Sequence, residues 1–209
     1  MPEEWVRRHR RDFYYRKAKE EDYRSRAAYK LAQANEMFIF IAPGDVVLDL
    51  VASPGGWLRV IRKIVGTKGF VLGVDLSEIE PFEFSNVLTI VGNIATSETK
   101  DRITAILPRK ADVVTSDVSP NVSGIWEVDH ARQVDLAEKS LQIAASVLKE
   151  DGNLFVKVFQ GELFNRFLNT VRKNLSEVKV VEPKASRKES AEIYVLGLGL
   201  KSKVGSPKA

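Results

Sequence analysis

Between residues 45 and 200, short runs of β-branched and apolar residues alternate with longer stretches that are apolar on one side only. No other feature of the chain limits its fold as tightly. The runs DVVLDL (45–50), FVLGVDL (70–76), VLTIVG (87–92), ADVVTSD (111–117) and NLFVKVF (153–159) read as strands. They are mostly apolar on both faces, as strands of a helix-covered parallel sheet are. Helices are predicted between them, over roughly 24–38, 56–65, 97–107, 130–149 and 161–174, the fourth closed by EDG with Gly152 as its C-terminal cap. Such alternation builds a doubly wound, Rossmann-like α/β sheet.

The end of the chain breaks this rhythm. EVKVVE (177–182) and EIYVLGLGL (192–200) are separated by PKASRKESA, too short and too polar for a helical crossover, so the two should pair antiparallel. The expectation is a seven-stranded, mostly parallel sheet with an antiparallel C-terminal hairpin and helices on both faces. A single domain over 24–200 would follow a basic, aromatic arm (1–23) and precede a flexible tail (201–209). By fold-level analogy, this ending is more typical of methyltransferases than of nicotinamide dehydrogenases.

Composition narrows the chemistry. The chain has 209 residues, 44% of them hydrophobic, enough for a substantial core. It has no cysteine, which excludes disulfides and thiolate metal sites, and its two histidines, His9 and His130, have no zinc-binding spacing, so no metal is expected. The longest purely apolar stretch, MFIFIA (37–42), is too short to cross a bilayer, and the charged N-terminus lacks the hydrophobic segment of a signal peptide. A cytoplasmic protein without membrane association is expected, with a monomer as the working assumption. Residues 1–30 hold ten Lys/Arg against six Asp/Glu, and residues 179–209 hold seven against three. Trp5, Phe13, Tyr14, Tyr15 and Tyr23 interleave with Arg7, Arg8, Arg10, Arg11, Arg16 and Lys17. That mixture suits phosphate attraction and base stacking, although a solvated, charge-rich helix has the same composition.

The loop DLVASPGGW (49–57) follows the first strand, where ligands sit in doubly wound sheets. Gly55 and Gly56 would let backbone approach a ligand as the next helix opens, and Asp75 ends the second strand where an acidic residue can hold ribose hydroxyls. No GK[ST] follows, which excludes a phosphate-binding P-loop. A nucleoside-containing cofactor is implied.

SRAAYKL (25–31), DLVASPGGW (49–57), SDVSPNVSG (116–124), VKVFQGE (156–162) and SRKESAEIYVLGLG (186–199) resemble, in order and spacing, the motifs of the FtsJ/RrmJ family. The resemblance covers about residues 10–200. It implies transfer of a methyl group from S-adenosylmethionine (SAM) to an RNA ribose 2′-hydroxyl. It places the SAM pocket at Asp49, Gly55, Trp57, Asp75, Asn93 and Asp117, and the catalytic group at Lys30, Asp117, Lys157 and Glu192. The chain departs from the family pattern at Val51, where a glycine is usual, at Ser53, where an alanine is, and at Asn93, where an aspartate is.

The order of elements independently brings most of that group together. Asp117 ends the fourth strand, Lys157 lies near the end of the fifth, and Glu192 begins an antiparallel strand, so all three fall at one edge of the sheet. Lys157 also interrupts the apolar run LFVKVF, where a charge is costly to bury unless paired. As general base it would need a pKa lowered from about 10.4 toward about 7 to 8, favoured by burial and Lys30 and opposed by the carboxylates. Lys30 and Glu192 would orient the lysine and the ribose, and Asp117 the lysine and the methyl-sulfonium region. The expected substrate is a uridine of large-subunit ribosomal RNA, or the assembled subunit, with a transfer-RNA anticodon loop as the alternative. A catalytically inactive RNA-binding module is the reading of another class.

Overall fold

The computed structural model describes residues 13–21, 23–187 and 190–202. Helices α1 (Phe13–Glu20) and α2 (Ala28–Phe38) lead into the alternation β1 (Val46–Leu50), α3 (Gly56–Val65), β2 (Phe70–Asp75), β3 (Val87–Val91), α4 (Ser97–Ile106), β4 (Ala111–Ser116), α5 (Trp126–Val147), β5 (Leu148–Phe159), α6 (Phe164–Asn174), β6 (Leu175–Val181) and β7 (Glu192–Leu200). The seven strands form one sheet in the order β3-β2-β1-β4-β5-β7-β6. Neighbours from β3 to β5 are parallel, while β7 runs antiparallel to both β5 and β6.

Period-2 alternation along each strand feeds two cores. On one face Leu31, Trp57, Ile61, Val71 and Phe155 pack under α2 and α3; on the other Leu48, Leu72, Val114, Leu154 and Val156 pack under α4, α5 and α6. The central strands β1 and β4 are buried throughout, which is why they read as unbroken apolar runs. Strand order reverses between β1 and β4, so the loops after these two strands part and leave a crevice at their carboxyl ends.

Two local expectations are revised. Helix α5 begins at Trp126, four residues before the expected start, because Asp129 binds back to the loop ahead of it. Gly152 is not a helix cap: α5 ends at Val147, with Leu148 already extended, and Gly152 lies within β5. Asp151 takes the left-handed conformation instead (φ 59°), where the β4–β5 register shifts. The described part of the expected arm is a helix, α1, that packs on the rest of the chain. Ala18 is buried with Tyr29 and Ala185, and the amide of Gln33 donates to the Tyr14 hydroxyl at 3.1 Å. Trp5, Arg7, Arg8, Arg10 and Arg11 lie outside the described residues, as does 203–209 of the expected tail. Among the described residues no helix is long and apolar enough to cross a membrane.

Candidate active site

The four residues expected to form the catalytic group meet at the carboxyl edge of the sheet. Lys157 is 3% exposed, and its Nζ lies 3.2 Å from Asp117 Oδ1 and 3.4 Å from Glu192 Oε1. Lys30, from α2, donates to Glu192 Oε2 at 2.7 Å. Antiparallel pairing is what allows this: Lys157 stands opposite Tyr194, and Phe159 opposite Glu192, two positions from the lysine. Lys157 forms the floor, while the half-buried Asp117 and Glu192 line the mouth.

Electrostatics in this cluster depart from the sequence expectation. Burial alone would push the Lys157 pKa down, but Asp117 and Glu192 outweigh it and the pKa is raised. Among these groups Lys157 is therefore a paired ammonium. Burial likewise opposes ionisation of Glu192, yet Lys157 and Lys30 overcome it and hold its pKa at about 2. Two cations and two anions balance, which makes burial of the two lysines tolerable.

Tyr194 completes the group and was missed in the sequence. Its hydroxyl donates to Asp117 Oδ1 at 2.8 Å, and burial, reinforced by Asp117 and Glu192, pushes its pKa up. The available signal was its position two residues after Glu192, hence on the same face of β7. Gln133 of α5 was missed as well. Its amide donates to the Lys157 carbonyl at 2.8 Å and accepts from the Phe159 N–H at 2.9 Å, fixing the end of β5.

Beside the cluster lies a cavity of about 240 Å³, lined by Asp49, Val51, Gly56, Trp57, Asp117 and Ser119 among others. Asp117 belongs to both cavity and cluster. Asp49 is buried at the end of β1. Thr115 donates to its Oδ1 at 2.6 Å, while its Oδ2 has no hydrogen-bond partner among the described residues. Burial raises its pKa to about 8, with Asp117 and Asp75 adding to the shift and the Thr115 hydrogen bond opposing it. A cationic group entering the cavity would give Oδ2 a partner and favour the ionised form.

The remaining cofactor candidates are placed differently. Asp75 accepts from the N–H groups of Ser53 (2.9 Å) and Ser77 (2.8 Å), tying the β1 and β2 loops together. Trp57 is a core side chain as much as a cavity wall: its Nε1 donates to the Ala27 carbonyl at 2.8 Å and its ring stacks on Phe155. Asn93 sits beyond β3 on an exposed turn, where its Oδ1 accepts from Ala95 N–H, and is not among the residues lining the cavity. The glycine pair makes room for protein as well as ligand. A Cβ on Gly55 (φ 100°) would lie 2.8 Å from the Phe82 ring, and one on Gly56 would collide with Ser25 Oγ. Val51 occupies the left-handed region (φ 61°), which β-branched residues rarely adopt.

A sequence profile of FtsJ-like methyltransferases matches residues 23–200. The chain belongs to this family. Among its relatives is a Methanocaldococcus jannaschii protein named ribosomal RNA large subunit methyltransferase E, 51% identical over 92% of this chain and 80% of that protein. A Methanothrix thermoacetophila protein of the same name is 53% identical over 93% of this chain and 75% of that one. In three dimensions the chain is similar to a Plasmodium falciparum protein described as a ribosomal RNA methyltransferase, with a TM-score of 0.75, 26% identity and coverage of 85% of this chain and 98% of that one. Aeropyrum pernix fibrillarin with bound S-adenosyl-L-methionine, 18% identical with a TM-score of 0.58 over 84% of this chain and 75% of that one, shares the fold. The sheet is thus the Rossmann-like methyltransferase sheet.

Proposed function

We propose that the chain methylates a ribose 2′-hydroxyl of large-subunit ribosomal RNA with SAM as donor and Lys157 as the group that takes the proton. The observation that carries this reading is a lysine buried between two carboxylates at the strand edge beside a cavity whose buried Asp49 oxygen lacks a partner. The relatives' shared name supports ribosomal RNA as substrate.

The cavity fits the donor at one end, where Asp49 Oδ2 suits its cationic group. Asp75, at the end of β2, does not line the cavity, but it retains lone pairs for hydroxyls beyond its two backbone contacts. The donor supplies an electrophilic methyl on a positively charged sulfur. Asp117, at the junction of cavity and cluster, lies where that charge would compete for its carboxylate, and a second cation beside Lys157 would lower the lysine pKa. A neutral Lys157 then accepts the 2′-hydroxyl proton as the ribose oxygen forms its bond to the methyl and the sulfur leaves as a thioether. The proton ends on Nζ. Lys30, Glu192 and Tyr194 hold the lysine and Asp117 in register, so most of the rate gain comes from positioning and preorganised charge.

The test is incubation with methyl-labelled SAM and ribosomal RNA or large subunits lacking the modification, followed by digestion to nucleosides. The expected label is on a 2′-O-methylated ribose, with uridine as the expected base. Label on a base, or exclusively on transfer RNA, would replace this reading; failure to bind SAM at millimolar concentration would favour an inactive RNA-binding module.

A further inference from the structure

The loop after β4 and the first turn of α5 form an unusual surface beside the catalytic cluster. Val122, Ile125, Trp126 and Val128 are all exposed, although they are apolar and belong to one short stretch. The stretch is fixed in place. Asp129 accepts from Ser123 N–H (2.7 Å), Ser123 Oγ–H (2.8 Å) and Gly124 N–H (3.0 Å), bonds that hold its carboxyl below its ordinary pKa.

Trp126 is the outer ring of an aromatic group. It lies nearly parallel to His130 (centroids 5.4 Å apart, 13°) and to Phe159 (6.0 Å, 14°). His130 is buried and Phe159 half-buried, whereas Trp126 as a residue is 45% exposed, so a large part of it stays open to solvent beside these two rings. The ring beneath is held neutral and fixed. His130 Nε2 accepts from Leu163 N–H at 3.1 Å, burial lowers its pKa, and Gly161 leaves room for it, since a Cβ there would lie 2.8 Å from the imidazole. Phe159 is two residues beyond Lys157 and directly opposite Glu192, so the group adjoins the site that handles the ribose.

We infer that Trp126 is a stacking platform for a base of single-stranded substrate RNA, next to the ribose presented to Lys157. The inference rests on the reading of the chain as an RNA ribose methyltransferase. Ribose-directed chemistry needs the nucleotide held by something other than its reacting hydroxyl. A flat, exposed and rigidly backed aromatic face does this for any base, because every base offers a π-face. The exposed apolar side chains around it extend the surface open to the apolar face of an unstacked base and have no role in the charged cluster.

The test measures binding of a fluorescent twelve-nucleotide oligouridylate, and of an abasic ribose-phosphate strand of equal length, to the wild type and to the variants Trp126→Ala, Trp126→Leu and Trp126→Phe. SAM affinity serves as the check of folding. The Ala and Leu variants are expected to lose about 5- to 100-fold in oligouridylate affinity, while Phe stays within about threefold of wild type. Abasic binding and the salt slope should not change. Should the Ala variant fail to fold, the Leu and Phe pair decides the matter by itself. The platform is overturned if Leu binds oligouridylate like wild type, if abasic binding falls in parallel, or if the wild type does not bind oligouridylate. A wild type that transfers no methyl to RNA yet shows the Leu-to-Phe difference would remove the enzymatic reading and leave the base-stacking surface in place.

Discussion

Two aspartates mark the two ends of β4, and the protein treats them in opposite ways. Asp112, at the start of the strand, takes Arg109 at 2.6 Å, Lys149 at 2.7 Å and the Val46 N–H at 2.7 Å, and both cations are about half exposed. Burial opposes its ionisation, but Lys149, the Val46 N–H and Arg109 together lower its pKa. Asp117, just past the end, shares a buried lysine with Glu192 and borders a cavity. In the first cluster a buried aspartate joins β1 to β4 and is met by cations that reach water; in the second a buried lysine meets partly exposed carboxylates, beside an Asp49 oxygen with no partner among the described residues. Similar ion pairs thus stand at both ends of the strand, and the difference lies in which charges water can reach, the cations at one end and the carboxylates at the other.

Lys157→Ala should break the comparison most sharply, reducing methyl transfer by about 10²- to 10⁴-fold in single-turnover assays while calorimetry shows SAM binding within a few-fold of wild type. Asp112→Asn should do the reverse. Transfer stays within about twofold and denaturant unfolding shows a loss of about 1–2 kcal/mol, discounted because its cations are half exposed. Equal losses of activity in the two variants would abolish the distinction between the ends.

The pH profile of transfer sharpens it further. Because the two carboxylates raise the Lys157 pKa, the single-turnover rate should climb with pH above neutrality as the lysine loses its proton. Glu192→Gln removes one of those carboxylates and should move the whole climb to lower pH, whatever it does to the maximum. A profile unmoved by Glu192→Gln would remove Lys157 as the titrating base.

Stability against pH separates Asp49 from Asp112. The folded pKa of Asp49, about 8, lies above that of an unfolded aspartate near 3.9, so between those values the native state holds a proton that the unfolded chain does not. Its contribution is full below about pH 4 and is lost as pH rises toward 8, with a slope of up to about 1.4 kcal/mol per pH unit. Asp49→Asn should flatten that slope in urea titrations and weaken SAM binding. Asp112 has the opposite sign: its contribution is present above the unfolded value and disappears as acid carries the pH down through its lowered folded pKa.

The smallest effect is expected at Val51. Val51→Gly relieves a left-handed φ at the cost of some partly buried apolar contact. Stability should change by no more than about 1 kcal/mol, and titration calorimetry should show SAM binding no weaker than wild type.

The central strands were legible because burial on both faces wrote them as continuous apolar runs. The final hairpin was legible because a short polar linker left no room for a crossover. Lys157 stood out as a charge inside such a run, and strand directions supported the gathering of Asp117, Lys157 and Glu192 that the family resemblance implied. Less visible was whatever depends on contacts between distant segments. Gly152 looked like a cap because its partner across the sheet, where the register shifts, leaves no mark in the local pattern. The reason for the two glycines was hidden in the same way, since Ser25 and Phe82 reach them from elsewhere in the chain. The direction of the Lys157 pKa depends on three competing effects whose balance is set by ångström distances, and no spacing rule contains those.

β7 lies between β5 and β6, although it follows both in the sequence. During synthesis the two earlier strands must wait for it, and with it come Glu192 and Tyr194, half of the polar ring around Lys157. A chain translated as far as α6 carries the cavity, the glycine loop and the lysine, but nothing to balance that lysine except Asp117. The polar ring around Lys157 is therefore complete only when the last strand of the chain has closed the sheet.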